Sequence, residues 1–407
     1  MAMQTNNIVS AQENWQRSIS EAFLERFKSG NLKNLKKLID KNGRYKSRFM
    51  LNLRGNRVII YYKGLRALTI YDAGDEEKQQ IEYEFECTKE YVKDTVDFQK
   101  LGVSLVKENT EKIDVENNEQ SNINFCMSDE KLYSFDWNYL LNGISEGIDL
   151  YNLNIDNAEK EAQQRIWFEN NIAREANSTE YIIVDTEYKE RGKKNGGRFD
   201  LWALYWPNHN AAKPVKLVCI ELKYGAGAVG DSKSSNGKDK KQSSLNAHLK
   251  DFQKFIEEQK AESSNENKYD FYKDISTMFC QLYDLEMIDM NLNKDLKQSI
   301  ENGYSEKCKK IVDKKTPVQM MFILANYKPK SKILSDQIIS RLEQQSSDSN
   351  SNIEVVFARA SFSGYGLYGK YVIGIEDMPS FLNITEETVK EYHDRKNKVR
   401  NKKVKNA

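Results

Sequence analysis

Histidine is scarce in this 407-residue chain, which has three. Catalysis built on several imidazoles, and metal centres made of histidine, are therefore not expected. The five cysteines (Cys87, Cys126, Cys219, Cys280 and Cys308) are scattered and never spaced C-x-x-C. That argues for reduced thiols and against a structural zinc site. Net charge is lacking too. Against 62 Lys and Arg stand 61 Asp and Glu, a formal +1, so any basic surface for a nucleic acid has to be local. No segment reaches the roughly 18 uninterrupted apolar residues of a membrane span, and the start, MAMQTNNIVSAQENWQRS, has no apolar signal core. The expectation is a polar cytoplasmic protein without a membrane partner.

What is present is organised in two parts. Residues 8–40 carry apolar positions at helical spacing, as in ISEAFLERF and LKNLKKLI. SRFMLNL, RVIIYY and RALTIYD then read as strands, with Arg54-Gly55-Asn56-Arg57 as a hairpin turn between the first two. Residues 104–124 are acidic and Asn-rich and read as a loop or linker. Residues 1–150 are expected to form an α+β accessory module. From residue 157 a regular order follows: a helix (AEKEAQQRIWFENNIAREA), strands EYIIVDTEY, FDLWALYW and VKLVCIELKY, then a helix (LNAHLKDFQKFIEEQ). A helical insertion over about 260–315 precedes strand PVQMMFILANY, helix SDQIISRLEQQ and strand IEVVFARA. The second part is placed at 151–375, and 376–407 is a basic helical tail whose run RKNKVRNKKVK suits a solvated helix end or a nucleic acid equally.

The chemistry gathers where two apolar runs flank PNHNAAKP. Paired antiparallel with the turn between Asn210 and Ala211, partner numbers sum to 421. Pro207 then faces Pro214, and Asp200 lies opposite Glu221. Two carboxylates facing each other across a sheet repel, and burying them costs several kcal/mol unless a cation lies between them. Alternation along the strand puts Lys223 on the face of Glu221, while Ile220 and Leu222 point the other way. Hard oxygens so placed suit Mg²⁺ or Mn²⁺. A neighbouring lysine can offset charge developing on a phosphate or help to activate water.

FD, about twenty residues, then a strand ending in ELK resembles the core motif of the PD-(D/E)xK nuclease superfamily. The order of elements over 157–373 is similar to that family's core. The resemblance implies an α/β fold: a restriction-endonuclease-like mixed β-sheet flanked by helices, here with the N-terminal α+β module added. It implies Asp200 and Glu221 as metal ligands, the carbonyl of Leu222 as a further contact, and Lys223 as the catalytic lysine. Many members add a glutamate from the first core helix, which points to Glu161, with Glu169 as its competitor. Phe199 stands where the motif's name has proline. The bare E-x-K pattern occurs five times, starting at Glu76, Glu187, Glu221, Glu258 and Glu266, but only the one at Glu221 closes an apolar strand with an acid placed to face it.

Secondary features are less specific. His248 sits on the helix after the motif, where some branches of the family use a residue near the site; a part-buried surface histidine is the bland alternative. Lys233, Lys238, Lys240 and Lys241 lie on a Gly/Ser-rich loop and suit phosphate contacts or plain solubility. Arg54, Arg57, Lys63 and Arg66 surround hairpin turns and read as a solvated face before a nucleic-acid grip. The expected function is Mg²⁺- or Mn²⁺-dependent hydrolysis of phosphodiester bonds, in DNA before RNA. A bacterial restriction or antiphage effector is the setting, with an activating ligand or partner protein at the N-terminal module and room for a homo-oligomer. A nuclease fold kept as a silent nucleic-acid-binding or assembly scaffold is the alternative.

Overall fold

The structure is a computed structural model, and it describes residues 17–374 apart from 73–81, 104, 110–121, 154–156, 190–197, 211–212, 226–244, 263–268, 305–306, 327–341, 343, 345–352 and 361–365. The described elements begin with α1 (Glu21–Lys28), α2 (Lys33–Ile39), β1 (Phe49–Leu53), β2 (Arg57–Tyr62), β3 (Leu65–Asp72), β4 (Glu82–Thr88), α3 (Lys89–Val92), β5 (Leu105–Asn109), β6 (Asn122–Ser128), α4 (Asp129–Leu132), α5 (Trp137–Asn152) and α6 (Ala158–Asn171). They continue with β7 (Tyr181–Lys189), β8 (Arg198–Tyr205), β9 (Lys216–Tyr224), α7 (Leu245–Glu262), α8 (Phe271–Asp284), α9 (Lys294–Glu301), β10 (Val318–Ala325), β11 (Ile353–Ala360) and β12 (Ile373–Gly374). The chain divides into two compact units, one of residues 1–173 and 262–311, the other of 174–261 and 312–407. Among the described residues no helix is long and apolar enough to cross a membrane.

The first unit is built on an antiparallel sheet of order β1-β2-β3-β4-β6-β5. The hairpin expected at Arg54-Gly55-Asn56-Arg57 is present, with Leu53 opposite Val58. The next hairpin turns through Lys63 and Gly64, because Tyr62 pairs with Leu65 and both loop residues have positive φ, 49° and 72°. That is the two-residue primed turn whose twist matches the strands. A Cβ on Gly64 would lie 2.5 Å from the Lys160 side chain, so space as well as backbone demands glycine there. Phe85 stacks on Phe125 at 5.1 Å and meets Trp137 of α5 at 5.7 Å, which marks the apolar face of this sheet. The loop expected over 104–124 is corrected at both ends. β5 and β6 flank it and pair with each other, because backbone pairing along a sheet edge tolerates the polar side chains that argued for a loop.

The helical insertion belongs to this first unit. Asp274 of α8 accepts the Arg17 N–H at 2.7 Å and the Ser18 N–H at 2.9 Å. Gln281, two turns further on, exchanges two hydrogen bonds with the backbone of Ile19, at 3.0 and 2.7 Å. α6, which the resemblance assigns to the nuclease core, also groups here. The insertion is thus remote in sequence from the residues it holds.

The second unit carries a mixed sheet of order β12-β11-β10-β9-β8-β7. β7, β8 and β9 form an antiparallel meander, and β9, β10 and β11 run parallel. Every residue of β10 is buried, the mark of a strand covered on both faces. α7 lays Phe252 and Phe255 on the sheet against Trp202, Phe199 and Tyr188, with ring centroids 5.4–6.2 Å apart. Trp202 is fully buried in this cluster and belongs to the core, as does Trp206. The helix expected at SDQIISRLEQQ and the basic tail lie outside the described residues, apart from two isolated helical positions, Leu342 and Gln344.

Candidate active site

Glu221 and Lys223 occupy the last turnings of β9, a strand driven into the core by Leu217, Val218, Cys219 and Ile220. The antiparallel register of β8 and β9 pairs Leu201 with Ile220 and Trp202 with Cys219, the sum of 421 expected from the prolines. One step further along the same register sets Asp200 against Glu221. Just beyond, the Gly225 N–H donates to the Ala325 carbonyl at 2.8 Å, where β9 ends beside β10. The acids therefore stand at the carboxyl end of the parallel strands, the end where open α/β sheets place their ligands.

The charged groups interlock at hydrogen-bond distance. Lys223 Nζ donates to Glu221 Oε1 at 2.6 Å, with Glu221 only 3% and Lys223 7% exposed. Leaving either charge alone at that depth would cost several kcal/mol, so each requires the other. Asp200 turns toward the chain: its Oδ2 accepts the Leu222 N–H at 2.8 Å. His248, on the first turn of α7, brings Nε2 to 3.1 Å from Glu221 Oε1 and 3.2 Å from Lys223 Nζ. Burial, and after it the Lys223 ammonium, pushes the His248 imidazole down to about 3. The ring is neutral at neutral pH. Its Nε2–H tautomer donates to the carboxylate and its Nδ1–H tautomer accepts from the ammonium.

The sequence-derived residues fall in both units. Asp200, Glu221, Lys223, His248 and the backbone of Leu222 meet at one end of the second unit's sheet. Glu161 lies on α6 in the first unit, part-exposed, where its charge is one of those that raise the Lys63 ammonium, after the Asp149 hydrogen bond. Glu169 is on the same helix. Lys233, Lys240 and Lys241, with Lys238, lie outside the described residues. Among the described residues no three His, Cys, Asp or Glu side chains are grouped closely enough to hold a metal ion. The geometry gives the reason: the Lys223 ammonium sits on Glu221, and Asp200 is turned to the backbone.

One acid was passed over. Thr186 pairs with Leu201 and Tyr188 with Phe199, so Glu187 falls level with Asp200. It is exposed and has a φ of 49°. Glu187, Asp200 and Glu221 therefore share one row across β7, β8 and β9. The signal was in the sequence as one of the five E-x-K matches, but only strand pairing brings two of those matches to the strands on either side of β8.

No family model, no curated protein and no solved structure matches the chain. What the site does must be argued from its own residues.

Proposed function

We propose that the chain is a metal-dependent nuclease that hydrolyses phosphodiester bonds, DNA before RNA. The observation that carries this is the joining of Asp200, Glu221, Lys223 and His248 at the carboxyl end of β9. Support for a restriction-endonuclease-like core comes from the antiparallel meander followed by a helix and a parallel strand, the order seen in β7, β8, β9, α7 and β10.

The residues fit a divalent cation. The fit is one of donor chemistry and requires the Lys223 ammonium to move off Glu221: the Asp200 and Glu221 carboxylates and the Leu222 carbonyl are hard oxygens on adjoining strand ends. Asp200, Glu221 and Leu222 would hold Mg²⁺ or Mn²⁺, which supplies Lewis acidity and a bound water of lowered pKa. Lys223 carries positive charge to the phosphate oxygens as negative charge builds on them. His248 reaches the same Oε1 of Glu221 that Lys223 holds and keeps that carboxylate in place. A defence effector, with the first unit sensing or targeting, is the setting by analogy with the superfamily.

The scaffold reading draws on the closed Lys223–Glu221 pair and the turned Asp200. Incubation with plasmid, linear duplex, single strand and RNA in Mg²⁺, Mn²⁺ or EDTA separates the two. Metal-dependent cleavage lost in Glu221→Ala and Lys223→Ala proteins of unchanged circular dichroism is the expected result. Cleavage that survives both substitutions sinks this site. Nucleic-acid binding with no cleavage under any metal favours the scaffold.

A further inference from the structure

Lys223 is buried and bonded to Glu221, so it is not the group that meets an incoming nucleic-acid strand first. A cation that does so has to be exposed on the same sheet end. The parallel register supplies one. Lys223 pairs with Leu324 on β10, and Leu324 pairs with Arg359 on β11. Directly paired residues share a face, so Lys223, Leu324 and Arg359 form a row on the face that carries Glu221. Arg359 is exposed, whereas Leu324 between them is fully buried.

The spacing selects the ligand. Two strand intervals put the Lys223 and Arg359 backbones about 10 Å apart. A strand laid across this sheet end brings a second backbone phosphate within reach of Arg359 while another lies at the Glu221 end. The planar guanidinium fork suits phosphate oxygens, which it takes two at a time. We propose that Arg359 grips a backbone phosphate flanking the bond addressed by Glu221 and Lys223, and so sets the substrate strand across the carboxyl ends of β9, β10 and β11. This deepens the nuclease reading and rests on it.

The test uses the full chain and a short fluorescent oligonucleotide, as single strand and as duplex, in EDTA so that nothing is cut. Anisotropy is followed across a salt series for wild type, Arg359→Ala and Arg359→Lys. One lost phosphate contact lowers the slope of log K against log salt by about 0.7–0.9 in the alanine protein, and affinity falls about 3- to 10-fold. Lysine restores the slope but not the full affinity. Single methylphosphonates walked along the strand should weaken wild type at one position that Arg359→Ala ignores. An unchanged slope and an unchanged methylphosphonate profile in Arg359→Ala overturn the inference, and the nuclease reading survives if Glu221→Ala still abolishes cleavage. A wild type that neither binds nor cuts any nucleic acid overturns both.

Discussion

Glu221 and Lys223 are two charges taken almost wholly out of water, and their cost is contained only while they stay together. Glu221→Ala leaves an ammonium buried with the neutral His248 ring as its remaining close neighbour. The expected loss is about 3–5 kcal/mol of folding stability, read from urea unfolding. The double variant Glu221→Gln, Lys223→Met removes both charges at similar volume and should recover most of that loss. A double-mutant cycle measures the coupling, and additive losses would show that the pair does not interact as the 2.6 Å contact requires. Cleavage, if the proposed function holds, falls in all of these proteins, including the one whose stability recovers. That split separates a chemical role from a structural one.

At the scale of elements, α5 crosses α3 at a distance that only glycine permits. A Cβ on Gly147 would lie 1.7 Å from the Tyr91 carbonyl oxygen, and one on Gly143 would meet Val96 and the Thr95 carbonyl. In an exposed helix, Gly→Ala gains about 1 kcal/mol of propensity. Here the clash wins. Gly147→Ala is expected to lower stability by about 2–3 kcal/mol, the upper range for overpacking, and to show it as a lower melting temperature. A neutral or raised melting temperature would mean that α3 moves away without cost.

At the scale of the molecule, the first unit is closed by a segment about 250 residues distant in sequence, since Asp274 lies 257 positions from Arg17. Asp274→Ala strips charged acceptors from two backbone N–H groups and from the Tyr269 hydroxyl. About 2–4 kcal/mol of stability should go with them, together with faster proteolysis near residue 17. The same segment supplies Glu286, whose carboxyl is held below its ordinary value by the hydrogen bond from the Lys36 ammonium, against the opposing pull of burial. A depressed carboxyl pKa contributes stability above the unfolded value near 4.5, and the contribution disappears as pH falls through the folded value. Glu286 is part-exposed, so solvent screening limits the term to about 1 kcal/mol or less. Comparing wild type with Glu286→Gln in urea at pH 7 and pH 3.5 checks it: the gap between the two proteins should shrink on acidification.

Much of the second unit was legible because its signals are local. Apolar runs of eight or nine residues gave β7 to β11, and two prolines placed symmetrically about a turn gave the register that sets Asp200 against Glu221. Strand alternation then put Lys223 on the same face. Other features were not legible, since they depend on which distant segments meet. Periodicity reports that a helix has an apolar face but not what covers it, so α6 and α8 could not be assigned to the first unit from their own residues. The polar stretch before β6 hid a strand, because edge pairing uses backbone groups that every residue carries. Glu187 looked like a surface charge until β7 paired with β8, and Arg359 looked like the end of a strand until the parallel register aligned it with Lys223. The sequence by itself determined the chemistry available at the end of β9. Only the tertiary structure decided which side chains share that end with it, because strand order and parallel pairing join residues more than 130 positions apart that no local pattern connects.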